Sequence, residues 1–357
     1  MRIIVNNTAA STGGALTILN GFYDFLVNSE RSKHHEWIFL LGGKYIDETE
    51  NIKVVILEEA KKNWINRLKF DFYKGKSVVE DLDPDVVISL QNTILMGLSV
   101  PQVLYMHQAL PFQREKNFSF FNKEEREIAV YQHIIGKLIK ESVKKADFVI
   151  VQTKWIKEEV IKSTSISKIK ISSILPPSEE VIEYKKENVF NKREFFYPAD
   201  ASIYKNHQCI YEASSLLNDR GIKNYQISLT IESELALDNF VYLGKLPFKS
   251  VLDKYNSSTL IFPSYVETLG LPLLEARKMG TIILAADCNY AREVLGEYEN
   301  AYFFNPAAPE ELSELMEGVL TGVINRKETK STTNEDGNSW DQVLNILTEH
   351  GSDGKQR

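Results

Sequence analysis

The feature that most constrains the fold is a regular alternation of short apolar runs with helical stretches along the first half of the chain. Each run has the length and composition of a buried strand. The runs are Arg2–Val5, Trp37–Leu41, Lys53–Leu57, Val86–Leu90, Gln102–Met106 and Phe148–Val151, and the last helix is predicted after Thr153–Ile156. Strands that alternate with helices form a mainly parallel sheet with helices on both faces. We therefore predict a doubly wound α/β domain.

The second half of the chain repeats this scheme. Its strand candidates are Glu194–Tyr197, Gln226–Ile231, Phe240–Leu243, Thr259–Phe262 and Thr281–Ala285. Between the halves stands the double proline Pro176-Pro177, which can continue neither a helix nor a central strand. We predict a domain linker there, with an N-terminal Rossmann-like domain at 1–175 and a C-terminal Rossmann-like domain at 178–324.

Residues 325–357 are predicted to be a separate segment. The stretch 325–338 is polar, with too little apolar content for a packed core. A helical pattern follows with Trp340, Val343, Leu344 and Leu347 on one face, and we expect the last residues, 351–357, to fray.

Composition excludes several classes of protein. The 357 residues, of which 43% are hydrophobic and 25% charged, suit a globular protein of two domains. A net charge of -7 argues against a nucleic-acid partner. Cys209 and Cys288 have neither metal-ligand spacing nor a disulfide framework, which fits a reducing compartment. The chain opens directly into strand-like Arg2–Val5 and has no long apolar run, so we expect no signal peptide, no membrane span and a cytoplasmic location.

The segment Pro263–Ala276 combines two carboxylates with a helix start. It follows the apolar run Thr259–Phe262, and Gly270-Leu271-Pro272 predicts a turn into a helix with proline in its first turn. Unpaired N–H groups at such a helix start favour phosphate, and glycine lets a ligand approach the backbone. Glu267 and Glu275 flank this point and can accept hydrogen bonds from sugar hydroxyls. The combination predicts a nucleotide-sugar site.

This segment resembles the E-x7-E signature of glycosyltransferase family 4, the retaining enzymes with a GT-B fold. The family pattern E-x-F-G-L-x-x-x-E-A is matched by residues 267–276, with Leu269 in place of the phenylalanine. The resemblance extends through Lys278–Ala286 and Arg292–Leu295 to Ser339-Trp340. It implies an α/β fold of GT-B architecture, with two doubly wound Rossmann-like domains that face each other across a cleft. It also implies that the N-terminal domain binds the acceptor, that the C-terminal domain binds the nucleotide-sugar, and that the last helix packs back on the N-terminal domain.

Two features of the first half gain a role through the resemblance. Gly13 and Gly14 stand where a strand gives way to a helix, and paired glycines there let backbone N–H groups face a phosphate or a hydroxyl. The family places this first loop at the donor phosphate and the acceptor. His107 is the polar residue directly after the strand Gln102–Met106, and it resembles the family histidine that reaches the transferred sugar.

In the second half the resemblance assigns Lys205 to the donor pyrophosphate, Glu267 to the transferred sugar and Glu275 to the ribose. Backbone amides at Gly270 and Leu271 would assist Lys205. The family arginine that precedes the lysine falls at about Asp200, and a carboxylate cannot clamp a pyrophosphate. Positive charge would then come from Lys205 with backbone amides, or from a second cation such as Lys245, which follows Leu243-Gly244 at a strand end.

Two basic stretches of the first half bear on the location of the enzyme. Residues 61–76 mix lysines and an arginine with large aromatic side chains, and residues 134–145 have a basic amphipathic pattern. Such stretches favour an anionic membrane surface. The alternative is a pair of ordinary helices that pack their apolar faces inward. We expect a cytoplasmic protein that contacts the inner face of the plasma membrane if the first alternative holds.

Together with these residues, the resemblance implies a retaining, metal-independent hexosyltransferase that has no cofactor and uses a nucleotide-sugar as its donor substrate. His107, Glu267 and Lys205 are the predicted catalytic residues, and no His, Cys or carboxylate spacing indicates a metal site. The acceptor would be a saccharide hydroxyl, such as that of a lipid-linked intermediate in capsule or other surface polysaccharide assembly. Two alternatives stay open: a nucleotide-sugar epimerase of the same fold, and a non-catalytic nucleotide-sugar-binding partner of a synthase complex. The sequence does not identify the base, the sugar, the linkage or the oligomeric state.

Overall fold

The structure, a computed structural model, describes residues 1–9, 13–176, 189–233, 236–328 and 339–354. Within these residues the strands are β1 Arg2–Asn7, β2 Glu36–Leu41, β3 Ile52–Ile56, β4 Val86–Ser89, β5 Gln102–Met106, β6 Phe148–Val151, β7 Ile171–Ser173, β8 Glu194–Tyr197, β9 Gln226–Leu229, β10 Phe240–Tyr242, β11 Thr259–Phe262, β12 Ile283–Ala286 and β13 Ala301–Phe304. The α-helices are α1 Gly13–Asn28, α2 Glu58–Lys61, α3 Trp64–Lys69, α4 Gly75–Glu80, α5 Arg126–Val130, α6 Gly136–Lys145, α7 Lys154–Thr164, α8 His207–Asp219, α9 Phe248–Ser257, α10 Leu271–Lys278, α11 Asn289–Leu295, α12 Pro309–Thr321 and α13 Ser339–Gly354. A π-helical turn, Phe70–Lys74, joins α3 to α4, and a second, Tyr131–Ile135, joins α5 to α6.

Some of the predicted organisation lies outside the described residues. This applies to Pro177 and the domain start at 178, to the part of the polar stretch at 329–338, and to the end of the chain at 355–357. It applies also to residues 10–12 of the first glycine loop.

The chain divides into two compact units. Unit 1 contains Met1–Phe112, Ile128–Ser178 and Glu335–Arg357, and unit 2 contains Gln113–Glu127 and Glu179–Asn334. Residues 113–127 therefore belong to unit 2 although both neighbouring segments of the chain belong to unit 1. Within unit 2, for example, the Lys116 ammonium lies 4.8 Å from the centre of the Tyr265 ring.

Unit 1 contains a parallel sheet of seven strands among its described residues, in the order β3-β2-β1-β4-β5-β6-β7. Ile3 and Val5 belong to the core on one face, and Ile4 belongs to the core on the other, as the two-residue period of a strand requires. Helix α1 covers the first face through Leu19, Phe22 and Leu26, among others. The α2–α4 region covers the opposite face with Ala60, Phe70 and Val79.

Helix α13 completes the first of these cores. Its side chains Trp340, Val343, Leu344 and Leu347 are buried in the same cluster as Phe22 and Tyr105. The Trp340 ring centre lies 5.1 Å from that of Phe22 and 5.5 Å from that of Tyr105. The C-terminal helix is therefore an integral part of the core of unit 1.

Unit 2 contains a parallel sheet of six strands among its described residues, in the order β10-β9-β8-β11-β12-β13. The strand prediction is confirmed for all eleven runs named above, each within two residues at either end. The prediction missed β7 and β13, which are edge strands of the two sheets. It began β12 too early because Thr281 instead closes the turn after α10, with its N–H on the Ala276 carbonyl and its hydroxyl on the Tyr255 carbonyl. No helix among the described residues is both long and apolar enough to cross a bilayer.

The packing of α13 gives a stability prediction. Trp340→Ala should destabilise unit 1 by about 3–5 kcal/mol, because it removes a large buried side chain from a filled core. The indole Nε1 is buried with no hydrogen-bond partner among the described residues, so Trp340→Phe should cost much less. The control is Gln342→Ala on the exposed side of the same helix, which should change stability by less than about 0.5 kcal/mol. Urea unfolding measures the loss of stability, and hydrogen exchange of the β1 and β4 amides shows whether it falls on unit 1. Equal stability of the three variants would contradict this packing.

Candidate functional site

The strand order of unit 2 places a topological switch point between β8 and β11. The sheet continues from β8 to β9 and β10 on one side and from β11 to β12 and β13 on the other. The loops that follow β8 and β11 therefore diverge, and in open parallel sheets ligands bind in the crevice that such loops leave at the carboxyl ends of the strands. Lys205 follows β8 and Glu267 follows β11, so both lie at this crevice.

Lys205 and Glu267 form an ion pair across the switch point. Their Nζ and Oε1 atoms are 2.6 Å apart, and each side chain is only 15% exposed. Burial by itself lowers the pKa of Lys205, but Glu267, together with Tyr204 and Asp200, outweighs it and holds the pKa above its usual value. Lys205 is therefore a permanent cation in a partly desolvated setting, where its field is stronger than in water.

Side chains that the sequence did not indicate fix the two loops to each other. The Tyr197 hydroxyl lies 2.9 Å from the Lys205 carbonyl, to which it donates, and 2.7 Å from Ser264 Oγ. Asn206, in the left-handed conformation at the start of α8, donates its amide to the carbonyl of Pro263 at 3.1 Å. These residues are buried, so the position of the ion pair is set by the packed interior of unit 2. A polar side chain at the end of an apolar strand, as at Tyr197, is a sequence signal that could have found them.

Asp200, where the resemblance led us to expect an arginine, has a local structural role. Its Oδ1 accepts a hydrogen bond of 2.8 Å from the Ser202 N–H, which is the geometry of an Asx turn. Burial raises the pKa of Asp200, but hydrogen bonds from Ser202 and the charges of Lys205 and His207 more than offset it, so the pKa is lowered overall. Asp200 is thus an anion that supports the turn leading to Lys205.

His207 begins α8 beside this turn. Burial lowers its pKa to about 4 against the opposing effect of Asp200, so the ring is neutral near pH 7. The ring packs against Tyr197 with centres 5.0 Å apart. Its Nε2 atom is buried and has no hydrogen-bond partner among the described residues. The sequence placed His207 at a helix start without assigning it a role.

The predicted helix start at Gly270-Leu271 is confirmed. Gly270 caps α10 in the left-handed conformation (φ 72°), and proline stands in the first turn. A Cβ atom at Gly270 would lie 3.3 Å from Leu273 Cδ1, so both backbone conformation and space favour glycine. Glu275 lies in the second turn of α10, where its Oε2 accepts a 3.0 Å hydrogen bond from the buried Tyr255 hydroxyl.

Lys245 lies apart from the ion pair. It is exposed in the loop after β10, the edge strand, which is two strands away from β8. Gly244 before it has φ 61°, so the turn suits glycine. The positions therefore favour Lys205 over Lys245 as the cation of the switch point. Among the described residues, no group of three or more His, Cys, Asp or Glu side chains could hold a metal ion.

Unit 1 also carries polar residues at its switch point, between β1 and β4. Thr8 follows β1, Gln91 and Asn92 follow β4, and His107 follows the neighbouring strand β5. Gln91 Oε1 accepts hydrogen bonds from Thr8 Oγ1 at 2.9 Å and from the Ala9 N–H at 3.2 Å. The side chains of Thr8, Gln91 and Asn92 are buried.

The glycines and histidine that were predicted for unit 1 lie at the same end of this sheet. Gly13 is the first residue of α1, and a Cβ atom at Gly14 would meet nothing within 4 Å. Asn92 Oδ1 accepts the His107 backbone N–H at 2.8 Å, which turns Asn92 Nδ2 towards His107 Nε2 at 3.3 Å. An amide nitrogen can only donate, so Nε2 accepts and the proton of the neutral ring is on Nδ1. Burial, and to a smaller extent Arg67, lowers the pKa of His107 to about 4.

The two basic stretches differ in exposure. In the first, Ile65, Phe72 and Tyr73 are 49%, 37% and 78% exposed, and Lys69 and Lys74 are exposed beside them. Arg67 instead donates Nη2 to the Gln91 carbonyl at 2.8 Å. Nothing is described of the side chains of Lys61 and Trp64. In the second stretch, Ile139 and Val143 are buried and Ile134 is 51% exposed, so α6 largely packs inward.

Residues 181–336 match the family model described as "Glycosyl transferases group 1". Curated relatives include the serotype-specific mannosyltransferase WbdA of Escherichia coli, 26% identical over 214 residues, which are 52% of this chain and 26% of WbdA. Another is the O-antigen chain mannosyltransferase RfbU of Salmonella typhimurium, 27% identical over 178 residues, which are 47% of this chain and 50% of RfbU. The chain thus spans about a quarter to a half of the length of the curated relatives it matches.

Solved structures with the same architecture cover nearly the whole chain. WaaG, a glycosyltransferase involved in lipopolysaccharide biosynthesis, superposes with a TM-score of 0.66 over 98% of this chain and 100% of its own, at 14% identity. The lipopolysaccharide outer core galactosyltransferase WaaB has a TM-score of 0.59 over 98% and 99%, at 18% identity. These likenesses show the fold and confirm the predicted class, an α/β protein of GT-B architecture with two parallel-stranded Rossmann-like domains.

The ion pair gives a prediction that needs no substrate. In a double-mutant cycle of Lys205→Ala and Glu267→Gln, the coupling energy should be about 1–3 kcal/mol, because each single change leaves a partly buried charge unpaired. Arg220 and Glu317, an exposed pair in the same unit at 2.8 Å, should couple by less than about 1 kcal/mol. Urea unfolding of the variants gives both coupling energies, and hydrogen exchange of the β8 and β11 amides shows whether the loss of stability falls on the switch point. Equal coupling in the two pairs would show that Lys205 and Glu267 are an ordinary surface pair.

Proposed function

We propose that this protein is a retaining glycosyltransferase that moves a sugar from a nucleoside-diphosphate donor to a saccharide hydroxyl. The observation that carries the proposal is the Lys205–Glu267 pair at the switch point of unit 2, beside the glycine-capped start of α10. It lies within the segment that matches the glycosyltransferase family model. A fixed cation, a carboxylate and a helix N-terminus are the groups that a sugar diphosphate needs.

In the proposed reaction, the bond between the anomeric carbon and the donor phosphate oxygen breaks, and the nucleoside diphosphate leaves with the bonding electrons. The acceptor hydroxyl oxygen attacks the anomeric carbon on the same face, and its proton passes to the departing phosphate. Negative charge grows on that phosphate in the transition state, and Lys205 with the amides at Gly270 and Leu271 stabilises it. The reaction needs no metal ion, because these groups supply the positive charge.

Glu267 has two partners in turn in this scheme. Without donor its carboxylate holds Lys205 at 2.6 Å, which keeps the cation in the crevice. When the diphosphate binds Lys205, Glu267 is released to accept hydrogen bonds from the sugar hydroxyls. Glu275 accepts hydrogen bonds from the ribose, and the Tyr255 hydroxyl orients its carboxylate. In unit 1, His107 contacts the transferred sugar, and the N–H groups at Gly13 and Gly14 face the phosphate or the acceptor.

The matched relatives suggest which substrates to test first. WbdA and RfbU are named as mannosyltransferases, and RfbU acts on O-antigen chains by its name. A nucleoside diphosphate mannose is therefore the first donor to try, with a lipid-linked saccharide of surface polysaccharide assembly as acceptor. The epimerase and the non-catalytic binding partner remain the alternatives, since both would use the same donor site.

We also propose that unit 1 contacts an anionic membrane on the cytoplasmic side through Ile65, Phe72 and Tyr73, with Lys69 and Lys74 beside them. Exposed aromatic and aliphatic side chains insert at the bilayer interface, and each lysine adds about 1 kcal/mol of attraction to anionic lipid. All five side chains are exposed along a single helical segment, from α3 to the end of the π-helical turn, and this supports the proposal. Such contact would bring a lipid-linked acceptor to the enzyme.

The activity test is release of nucleoside diphosphate from a panel of sugar donors, with and without saccharide acceptors and with EDTA present. The protein should release diphosphate only with acceptor, and EDTA should leave the rate unchanged. Lys205→Ala should lower turnover by roughly 10²-fold or more and weaken donor binding less, because the charge on the leaving group grows in the transition state. The control is Lys254→Ala, a partly buried lysine that pairs with Glu194 at 3.5 Å in the same unit.

The remaining outcomes of this assay separate the alternatives. Donor conversion to an epimer without acceptor would establish the epimerase, and donor binding without any conversion would establish the binding partner. A rate restored only by magnesium or manganese would overturn the metal-free mechanism. Equal losses in the Lys205 and Lys254 variants would remove the special role of Lys205.

The membrane test is sedimentation with vesicles of phosphatidylglycerol or of phosphatidylcholine alone. Wild-type protein should bind the anionic vesicles, and binding should fall with salt. The triple variant I65S/F72S/Y73S should lose about ten-fold or more of this affinity, as the loss of three interfacial side chains implies. Ile169→Ser is the matched control, because Ile169 is 85% exposed elsewhere in unit 1. Equal binding by both variants would contradict the proposed surface.

A further inference from the structure

Asp71 is a buried carboxylate that the proposed mechanism does not use. It lies in the π-helical turn Phe70–Lys74, and the residue is 2% exposed. Burial raises its pKa to about 6 although Arg67, Thr93 and Gln91 act in the opposite direction. A buried ionisable group needs partners to offset its desolvation. Turns of this helix type often occur at functional sites.

Asp71 binds the polar tripeptide Gln91-Asn92-Thr93, which begins two residues after the end of β4. Its Oδ1 accepts from Gln91 Nε2 at 3.1 Å, and its Oδ2 accepts from Thr93 Oγ1 at 2.9 Å. Arg67, one turn earlier on the helix, donates Nη2 to the Gln91 carbonyl at 2.8 Å and to Thr93 Oγ1 at 3.4 Å. Side chains four residues apart on a helix share a face. The helix therefore holds the tripeptide at three atoms, which are Gln91 Nε2, the Gln91 carbonyl oxygen and Thr93 Oγ1.

The Asp71 contact decides which way the Gln91 amide faces. With Nε2 directed at Asp71, Oε1 is left to accept from Thr8 Oγ1 and the Ala9 N–H. The reversed amide would place two donors against each other at Ala9 and two acceptors against each other at Asp71. Asp71 thus fixes the exit of β1, which leads to the glycine loop.

The same tripeptide fixes His107. Asn92 has φ 67°, a left-handed conformation that an asparagine tolerates, and it holds both the backbone N–H and the ring Nε2 of His107. Neighbouring Gln91 and Thr93 are bound to Asp71, so the strained residue between them is held from both sides. The two predicted substrate-facing features of unit 1 therefore depend on one carboxylate.

We propose that Asp71 is a positioning residue that, through Gln91-Asn92-Thr93, sets both the Thr8-Ala9 entrance of the glycine loop and the ring of His107. This inference rests on the proposed function for its catalytic consequence. Its structural content, the hydrogen bonds at the Ala9 and His107 amides, is independent of any substrate.

The test compares hydrogen exchange and steady-state kinetics in full-length Asp71→Leu and Asp71→Asn. In Asp71→Leu the amides of Ala9 and His107 should exchange about ten-fold faster or more, because the side-chain acceptors of both lose their support, while β5 amides stay protected. The kcat should fall about ten-fold or more, with a smaller change in the KM for donor. Asp71→Asn should be intermediate, since its oxygen can still accept from Gln91 and its amide can donate to the Thr93 hydroxyl.

The control is Glu159→Leu, another buried carboxylate of unit 1, which pairs with Lys162 on α7 and should leave both amides and kcat unchanged. Wild-type exchange at Ala9 and His107 in Asp71→Leu would overturn the proposal. If Asp71→Leu does not fold, wild-type exchange rates in Asp71→Asn would overturn it instead. If the wild type transfers no sugar but the amides respond as expected, the proposed function fails while the positioning role stands.

Discussion

The ion pair between Lys205 and Glu267 is the interaction on which the site of unit 2 depends. It joins loops that follow two neighbouring strands, and those loops diverge only because the strand order reverses between β8 and β11. Buried hydrogen bonds of Tyr197, Asn206 and Ser264 hold these two loops together. A cation fixed before substrate arrives needs little reorganisation when charge develops on a leaving group, which is the main source of electrostatic catalysis.

At the switch point of unit 1, hydrogen bonds hold the polar residues in place, and the nearby ion pair between Arg67 Nε and Asp71 Oδ2 is longer, at 3.9 Å. This switch point, between β1 and β4, contains Gln91 and Asn92, and the Asp71 carboxylate that accepts from Gln91 is buried. His107 is neutral because burial of its ring lowers the pKa to about 4. A ring that stays neutral near pH 7 suits hydrogen bonding better than proton transfer.

The sequence predicted most of the fold because central strands of parallel sheets are nearly continuous apolar runs. The nine central strands of the described sheets were found that way, together with the edge strands β3 and β10. The other two edge strands, β7 and β13, were missed, and in β7 two of the three residues are serines. The helix start at Gly270 was visible from glycine and proline alone. The contact between Lys205 and Glu267 was not, because they are 62 residues apart and only the folded sheet brings them together. Asp71 was hidden in a stretch whose lysines and aromatic residues suggested a surface helix.

A crystal structure of the protein with a bound nucleoside diphosphate would show directly whether Lys205 and the start of α10 hold the donor. We expect the terminal phosphate within hydrogen-bond distance of Lys205 Nζ and of the amides at Gly270 and Leu271, with Glu267 turned away from Lys205. The ribose hydroxyls should lie on Glu275. A diphosphate bound elsewhere, with the Lys205–Glu267 pair unchanged, would contradict this expectation.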